Sequence, residues 1–343
     1  MVLNEKERKV LYSIRVASEN DPAKPEFPPD DPKFPATPTY KISIPGFKEV
    51  WLKDESHNPT GTHKDRMAWE MVVTYKDFLL AKKNDQVKEK LPRLSIITSG
   101  SAGIAIQSML SKYKLPALKC LVDLNLNENI VHELERLGCE IYMVDLSRKP
   151  LDWKDILELT DNANGIDVTS SEGLDPGTRY YDWLSYEVIN QSPDYCFIPF
   201  GSGHLFKNIL NINKKEVATT NHDPRFTGDV KILKNCNFIG ATVNDPKSKA
   251  DKLYAPHRPF TYFDEQWLRV YKSAGYCGQE SMVYLLREKY LNEALQIAKE
   301  QKINCEPSGI AGLGMLLQMK DKIPKNKKIM IVSTGKSKCK LCR

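Results

Sequence analysis

From Leu94 onward the chain alternates short apolar runs with longer amphipathic stretches, and this alternation restricts the fold more than any other feature. Residues 94–98 are followed by 104–113, residues 117–123 by 130–137, and the series closes on 140–144. Runs this short suit buried strands, while the stretches between them have the length and spacing of helices. Strand and helix in alternation predict parallel βαβ units. Gly138 stands between the helix over 130–137 and the strand over 140–144, where a left-handed helix cap is expected. The pattern resumes with a strand over 195–200, a helix over 205–210 and a strand over 237–243, with 224–231 as a surface excursion. It ends with a helix over 293–299, a small-residue helix over 309–319 and a β-branched strand over 328–332. The expected fold class is α/β, in two lobes, each an open and mostly parallel sheet flanked by helices.

A length of 343 residues accommodates such lobes, since domains run to about 150 residues each. With 41% hydrophobic and 27% charged residues the chain has the balance of a globular protein rather than a disordered one. Pro22, Pro25, Pro28, Pro29, Pro32, Pro35 and Pro38 fix φ and remove backbone donors, so residues 1–45 are expected to form an extended arm. The expected layout continues with a larger domain from 46–93 and 180–338, a smaller mobile domain from 94–179, and a tail at 339–343. Lysine and arginine exceed the acidic residues by 50 to 44. This excess is scattered, except at Lys336, Lys338, Lys340 and Arg343, which read as solvated. Neither a nucleic acid nor a membrane is an expected partner. Glu5, Lys6, Glu7, Arg8 and Lys9 interrupt any apolar run at the start, and no later stretch could span a bilayer. Eight irregularly spaced cysteines suit reduced thiols, and the expectation is a cytoplasmic protein. Cys339 and Cys342 form one C-x-x-C without a second ligand pair, so no metal is expected.

Several turns carry chemistry. In Asn58-Pro59-Thr60-Gly61-Thr62-His63-Lys64-Asp65-Arg66, Pro59 and Gly61 enforce a turn just before a helix predicted over 67–76. A cation at a helix N-terminus opposes the helix dipole, so Lys64 gains nothing structurally there. The same placement lowers a lysine pKa, as Schiff-base chemistry requires. Thr98-Ser99-Gly100-Ser101-Ala102-Gly103 joins a strand to a helix and suits an anion such as a carboxylate, although a ligand-free tight turn explains it equally well. Gly201-Ser202-Gly203-His204-Leu205 repeats that arrangement and reads as a phosphate cradle. It lacks the third glycine of a dinucleotide fingerprint, which leaves a nucleotide-binding protein as a weak reading. Ser333-Thr334-Gly335 ends the last strand, where a crevice at the carboxyl edge of a parallel sheet would receive a hydroxyl.

Taken in order with Glu306-Pro307-Ser308-Gly309-Ile310-Ala311-Gly312-Leu313, these turns resemble the tryptophan synthase β-like family of pyridoxal-phosphate enzymes over residues 40–338. Asn-Pro-Thr-Gly-x-x-Lys-Asp-Arg and the Thr-Gly ending look most like threonine synthases, with cysteine synthases and threonine dehydratases as relatives. The resemblance implies pyridoxal 5′-phosphate in the cleft between the lobes, bound to Lys64 as a Schiff base, with Lys64 as proton shuttle. Gly201, Ser202, Gly203, His204 and Leu205 would hold the phosphate, Thr334 would face the pyridine nitrogen, and Glu306 would lie near the ring. Thr98, Ser99, Gly100, Ser101 and Ala102 would take the substrate carboxylate, with Ser101 also near the cofactor.

A neutral hydroxyl at the pyridine nitrogen favours elimination and replacement over transamination. The resemblance therefore implies a lyase or synthase acting at the β or γ carbon of a small amino acid, with phosphohomoserine the first substrate to try. It also implies a homodimer as the family's habit. The chain departs from the pattern at Ser101, where the family usually has Asn, and at His204, where it mostly keeps a small residue. These departures leave open a second reading, a member of the family that has become a binding or regulatory protein.

Overall fold

The computed structural model describes residues 36–71, 92–149, 151–169, 181–254 and 265–338. The arm as far as residue 35, the tail from 339 and the predicted helix beyond 71 lie outside the described residues.

Strands β1 (Thr39–Ile42), β2 (Glu49–Asp54), β3 (Leu94–Ile97), β4 (Lys119–Asp123), β5 (Glu140–Val144), β6 (Ile166–Asp167), β7 (Tyr195–Pro199), β8 (Asn237–Thr242), β9 (Met282–Leu285) and β10 (Lys328–Ser333) form two sheets. The larger has the order β1-β2-β10-β7-β8-β9 and the smaller β5-β4-β3-β6. Every pairing is parallel except that of β1 with β2. The α/β reading with mostly parallel sheets holds. β1 is the one antiparallel edge, formed at the end of the segment read as an arm.

Parallel strands are covered on both faces and therefore read as continuous apolar runs. In β10, Ile329, Met330, Ile331 and Val332 are all 0% exposed. Met330 and Val332 face the core beneath the helices Asp182–Ile189 and His204–Ala218, while Ile329 and Ile331 face Leu313, Leu316 and Leu317 of the helix Ala311–Met319. Strand β10 thus lies at the centre of the larger sheet with a core on either side.

Helix boundaries moved from those expected. The stretch expected over 293–299 is helical over Glu288–Glu300, and the one expected over 205–210 runs over His204–Ala218. The helix expected from 104 begins at Ser101. Thr98 Oγ1 accepts the Gly100 and Gly103 backbone N–H groups at 3.0 and 3.2 Å and closes the turn early. The excursion at 224–231 carries the start of a short helix, Val230–Leu233.

Gly138 has φ 99° and caps the helix Glu128–Leu137 as expected, its N–H donating to Glu135 O and that of Cys139 to Leu134 O. A side chain in this conformation carries a steric cost. Gly138→Ala should lower stability by about 1 kcal/mol, read as a lower urea midpoint at unchanged slope. Among the described residues, no helix is long and apolar enough to cross a membrane.

Candidate active site

The carboxyl ends of β2, β10 and β7 lie side by side, because these strands are parallel neighbours. Open α/β sheets bind ligands at this edge. The chain leaving β2 leads to Lys64, the chain leaving β10 to Thr334, and the chain leaving β7 to Gly201.

The Asn58–Arg66 motif holds its own shape. Asn58 Nδ2 donates to Glu55 Oε2 at 2.7 Å and to Thr62 O at 3.1 Å. Thr60 donates to Asp65 Oδ2 from its amide at 3.0 Å and from its hydroxyl at 2.8 Å. Burial raises Asp65 to about 6. Arg66 reaches inward, with Nε and Nη2 each 3.0 Å from Glu55 and Nη1 2.7 Å from Glu187. Lys53 pairs with the same Glu187. A buried cluster of two cations and two carboxylates therefore fixes the start of the helix over 64–71. Lys64 itself opens that helix, three residues earlier than expected.

The loop is laced to the end of β10 by backbone bonds. His63 N donates to Thr334 O, Lys336 N to Gly61 O and Lys338 N to Thr60 O. Glu306 N donates to Gly335 O and Thr334 N to Gly309 O, which brings the Glu306–Gly309 turn to the same place. Lys64 Nζ donates to Tyr181 Oη at 3.2 Å, and desolvation lowers the amine to about 8.

The helix His204–Ala218 begins on Gly203, at φ 82°, and no side chain caps it. A Cβ on Gly201 would lie 3.0 Å from Lys252 O, so the turn passes close under residues 252–253. Ser202 Oγ lies 3.1 Å from His204 Nδ1. Burial lowers His204 to about 3, with help from the charges of Lys64 and Lys207, so the ring is neutral beside the cradle. His63 is likewise held well below its ordinary range, by burial first and by Lys64 second. The Leu205 side chain belongs to the core, so only its backbone can face a ligand.

From the smaller sheet, Ser101 crosses to this edge. Its hydroxyl lies 2.6 Å from Ser337 Oγ and accepts from Lys252 Nζ at 3.3 Å. Lys252 also pairs with Glu306 at 2.7 Å. The structure thus brings together Lys64, Ser101, Gly201, Ser202, Gly203, His204, Glu306 and Thr334. In the Thr98–Ala102 segment, the Gly100 amide is already taken by Thr98 Oγ1, and Ser99 is exposed. Lys252, Ser337 and Tyr181 were not anticipated as site residues. Lys252 lies in a single 3-10 turn, Asp251–Leu253, that no sequence pattern placed, and Tyr181 belongs to no motif.

A phosphorylated aldehyde cofactor needs a reactive amine, an anion cradle and a hydroxyl for its ring nitrogen. The desolvated Lys64, the uncapped helix start at Gly203 and Thr334 supply these in one place, so the residues present fit the group. Among the described residues, no group of three His, Cys, Asp or Glu could hold a metal ion.

The chain is 31% identical over 160 residues to cysteine synthase B of Escherichia coli (strain K12), an alignment covering 46% of this chain and 50% of that protein. It is 32% identical over 145 residues to cysteine synthase B of Salmonella typhimurium, covering 42% of this chain and 45% of the relative. The chain thus spans about half the length of the curated relatives it matches. The fold is similar to that of O-ureido-L-serine synthase, with TM-score 0.62, 16% identity and coverage of 88% and 89% of the two chains. It is also similar to diaminopropionate ammonia lyase from Escherichia coli, with TM-score 0.64, 12% identity and coverage of 99% and 90%. A family model described as "Pyridoxal-phosphate dependent enzyme" matches residues 34–335, and the chain belongs to that family.

Proposed function

We propose that the protein is a pyridoxal-phosphate-dependent lyase or synthase that eliminates or replaces a substituent at the β or γ carbon of a small amino acid, with Lys64 as its reactive amine. The carrying observation is the desolvated amine, lowered to about 8, at the edge that also presents the glycine turn and Thr334. When bound, the cofactor supplies the electron sink for bond breaking at the substrate's α carbon.

The chain's own groups have separate tasks. Gly201, Ser202, Gly203, His204 and Leu205 would hold the phosphate from the helix start, and Thr334 would offer the ring nitrogen a neutral hydroxyl. Ser101 and Glu306 would lie beside the ring. Thr98, Ser99, Ser101 and Ala102 receive the substrate carboxylate, as does Gly100 once its N–H leaves Thr98 Oγ1. Lys64 moves the Cα proton, a task suited to a lysine whose pKa lies near the working pH.

The likeness to cysteine synthase B supports a synthase reaction that yields cysteine, and the Asn58–Arg66 wording with Thr334-Gly335 supports a threonine synthase-like substrate such as phosphohomoserine. A cytoplasmic homodimer with residues 94–179 as a smaller mobile domain completes the reading. A competing role as a binding protein draws on Ser101, whose hydroxyl is engaged by Ser337 and Lys252.

The test is spectroscopic. Purified protein given the cofactor should show a visible band that borohydride converts into a permanently attached chromophore, with peptide mapping placing it on Lys64. Band shifts on adding O-acetylserine, phosphohomoserine, serine or threonine then rank substrates. Attachment to another lysine rejects the assignment of Lys64. A normal band with no turnover of any of these amino acids favours the binding role.

Because the amine reacts unprotonated, the rate of attachment should rise with pH and level off above about 8. Attachment that is fastest below pH 6 would contradict a lowered amine.

A further inference from the structure

Tyr181 belongs to none of the motifs above, yet Lys64 Nζ donates to its phenol oxygen at 3.2 Å. The side chain is 1% exposed and among the largest fully buried ones in the molecule. Three residues around the start of the helix over 64–71 contact it. His63 stacks on its ring at 5.4 Å with 29° between planes, Lys64 meets the oxygen, and Met67 Sδ lies 3.7 Å from the hydroxyl as a weak acceptor. A phenol in this position touches the nitrogen that, on the reading above, moves the Cα proton. The substituent on Cβ is one bond from Cα, so a group in contact with Lys64 Nζ is within reach of the atom that departs.

We propose that Tyr181 is a second catalytic residue of this site, the general acid that protonates the departing group in β-elimination. The proposal rests on Lys64 being the reactive amine. The proton count closes within the pair. Lys64 takes the proton from Cα, and the bond from Cβ to the departing heteroatom breaks with its electron pair on that atom. Tyr181 Oη gives its proton to the heteroatom. The Lys64 ammonium, in hydrogen-bond contact with the resulting phenolate, returns a proton to it. The sum is loss of neutral H–X, with both side chains back in their starting states.

The electrostatics agree with these roles. Burial, with a smaller contribution from Glu55, raises the phenol above its ordinary range, so it keeps its proton until a base appears beside it. Desolvation lowers the amine to about 8, so a usable fraction is free base at neutral pH. Proton return from ammonium to phenolate is downhill.

The test uses the holoenzyme with Tyr181→Phe, which keeps the buried ring. Serine has a poor leaving group and needs an acid, whereas β-chloroalanine loses chloride and does not. For serine, kcat should fall on the order of 10²-fold, while the β-chloroalanine rate changes by less than about threefold because no acid is required there. Exchange of the Cα proton in D₂O, followed by NMR, reads Lys64 separately and should persist, as should the cofactor spectrum. Equal losses on both substrates, or loss of exchange, would assign Tyr181 a structural role and overturn the proposal. Should the variant misfold, 3-fluorotyrosine at position 181 keeps the volume and strengthens the acid. It should raise the serine rate without changing exchange, and an unchanged serine rate counts against the proposal. Wild-type protein that neither holds the cofactor on Lys64 nor exchanges the Cα proton overturns both this role and the function proposed above.

Discussion

Lys64→Ala should abolish the visible band and reduce amino-acid turnover by at least on the order of 10³-fold, while the folded protein remains. Two properties of the site separate these outcomes. The amine is the group lowered toward neutral pH by desolvation, and the neighbouring Lys252 is bound to Glu306 at 2.7 Å and to Ser101, so it does not offer a free substitute. Stability behaves differently. With the amine at about 8 in the fold against an ordinary 10.5, the unfolded chain holds a proton that the folded chain has shed between those values. Stability from this group therefore rises with pH across that window, and its penalty is fully present below about 8. Removing the amine relieves the penalty, so Lys64→Ala should not melt earlier than wild type at pH 7. A large drop in melting temperature, with the band lost only through unfolding, would assign Lys64 to the scaffold instead.

Arg66→Ala should produce the largest loss of stability, about 3–5 kcal/mol. The guanidinium bridges Glu55, 0% exposed, and Glu187, with Nη2 also donating to Thr37. Without it, two carboxylates remain against Lys53 alone, and Glu55 loses the cation on which its burial depends. Arg66→Lys should recover only part of the loss, because a point charge cannot reach both carboxylates as the planar fork does. Chemical denaturation measures both. A cost below about 1 kcal/mol would mean that water reaches the cluster and screens it as at an exposed pair. The same lesion should reach the site, since Arg66 lies two residues from Lys64 in the same first helical turn.

Much of the framework was legible in the sequence because burial leaves an apolar signature. Residues 329–332 read as a strand for the same reason that they are buried on both faces. Gly138 read as a cap because its backbone sign excludes most side chains. Strand β2 was not anticipated, and the cause is visible in Lys53 and Asp54, which are 1% and 3% exposed despite being charged. A charge made acceptable by a partner remote in sequence looks like a surface residue until that partner is known. Edge strands β1 and β9 were hidden differently, being short and only partly buried. In the site, the ordered turns were readable because each needs small residues at a strand-to-helix junction. Tyr181 and Lys252 were not, since neither is set by local periodicity and each meets its partners across more than fifty positions of chain.

The bonds that lace residues 334–338 to the loops at 60–63 and 306–309 run between peptide groups. These contacts demand glycine at Gly61, Gly309 and Gly335, where a Cβ would lie 2.2 Å from Lys336 O, 2.3 Å from Gly335 O and 2.1 Å from Gly61 O, but they make little demand on the side chain of Lys336. The exposed side chain of Lys336 is correspondingly free to drift while the loops stay in register, whereas Lys338 Nζ donates to Asn58 O at 3.1 Å and to Pro59 O at 3.2 Å and adds to the lacing. A lineage could retune the charge at the mouth of the cleft one substitution at a time without rebuilding the chemistry behind it.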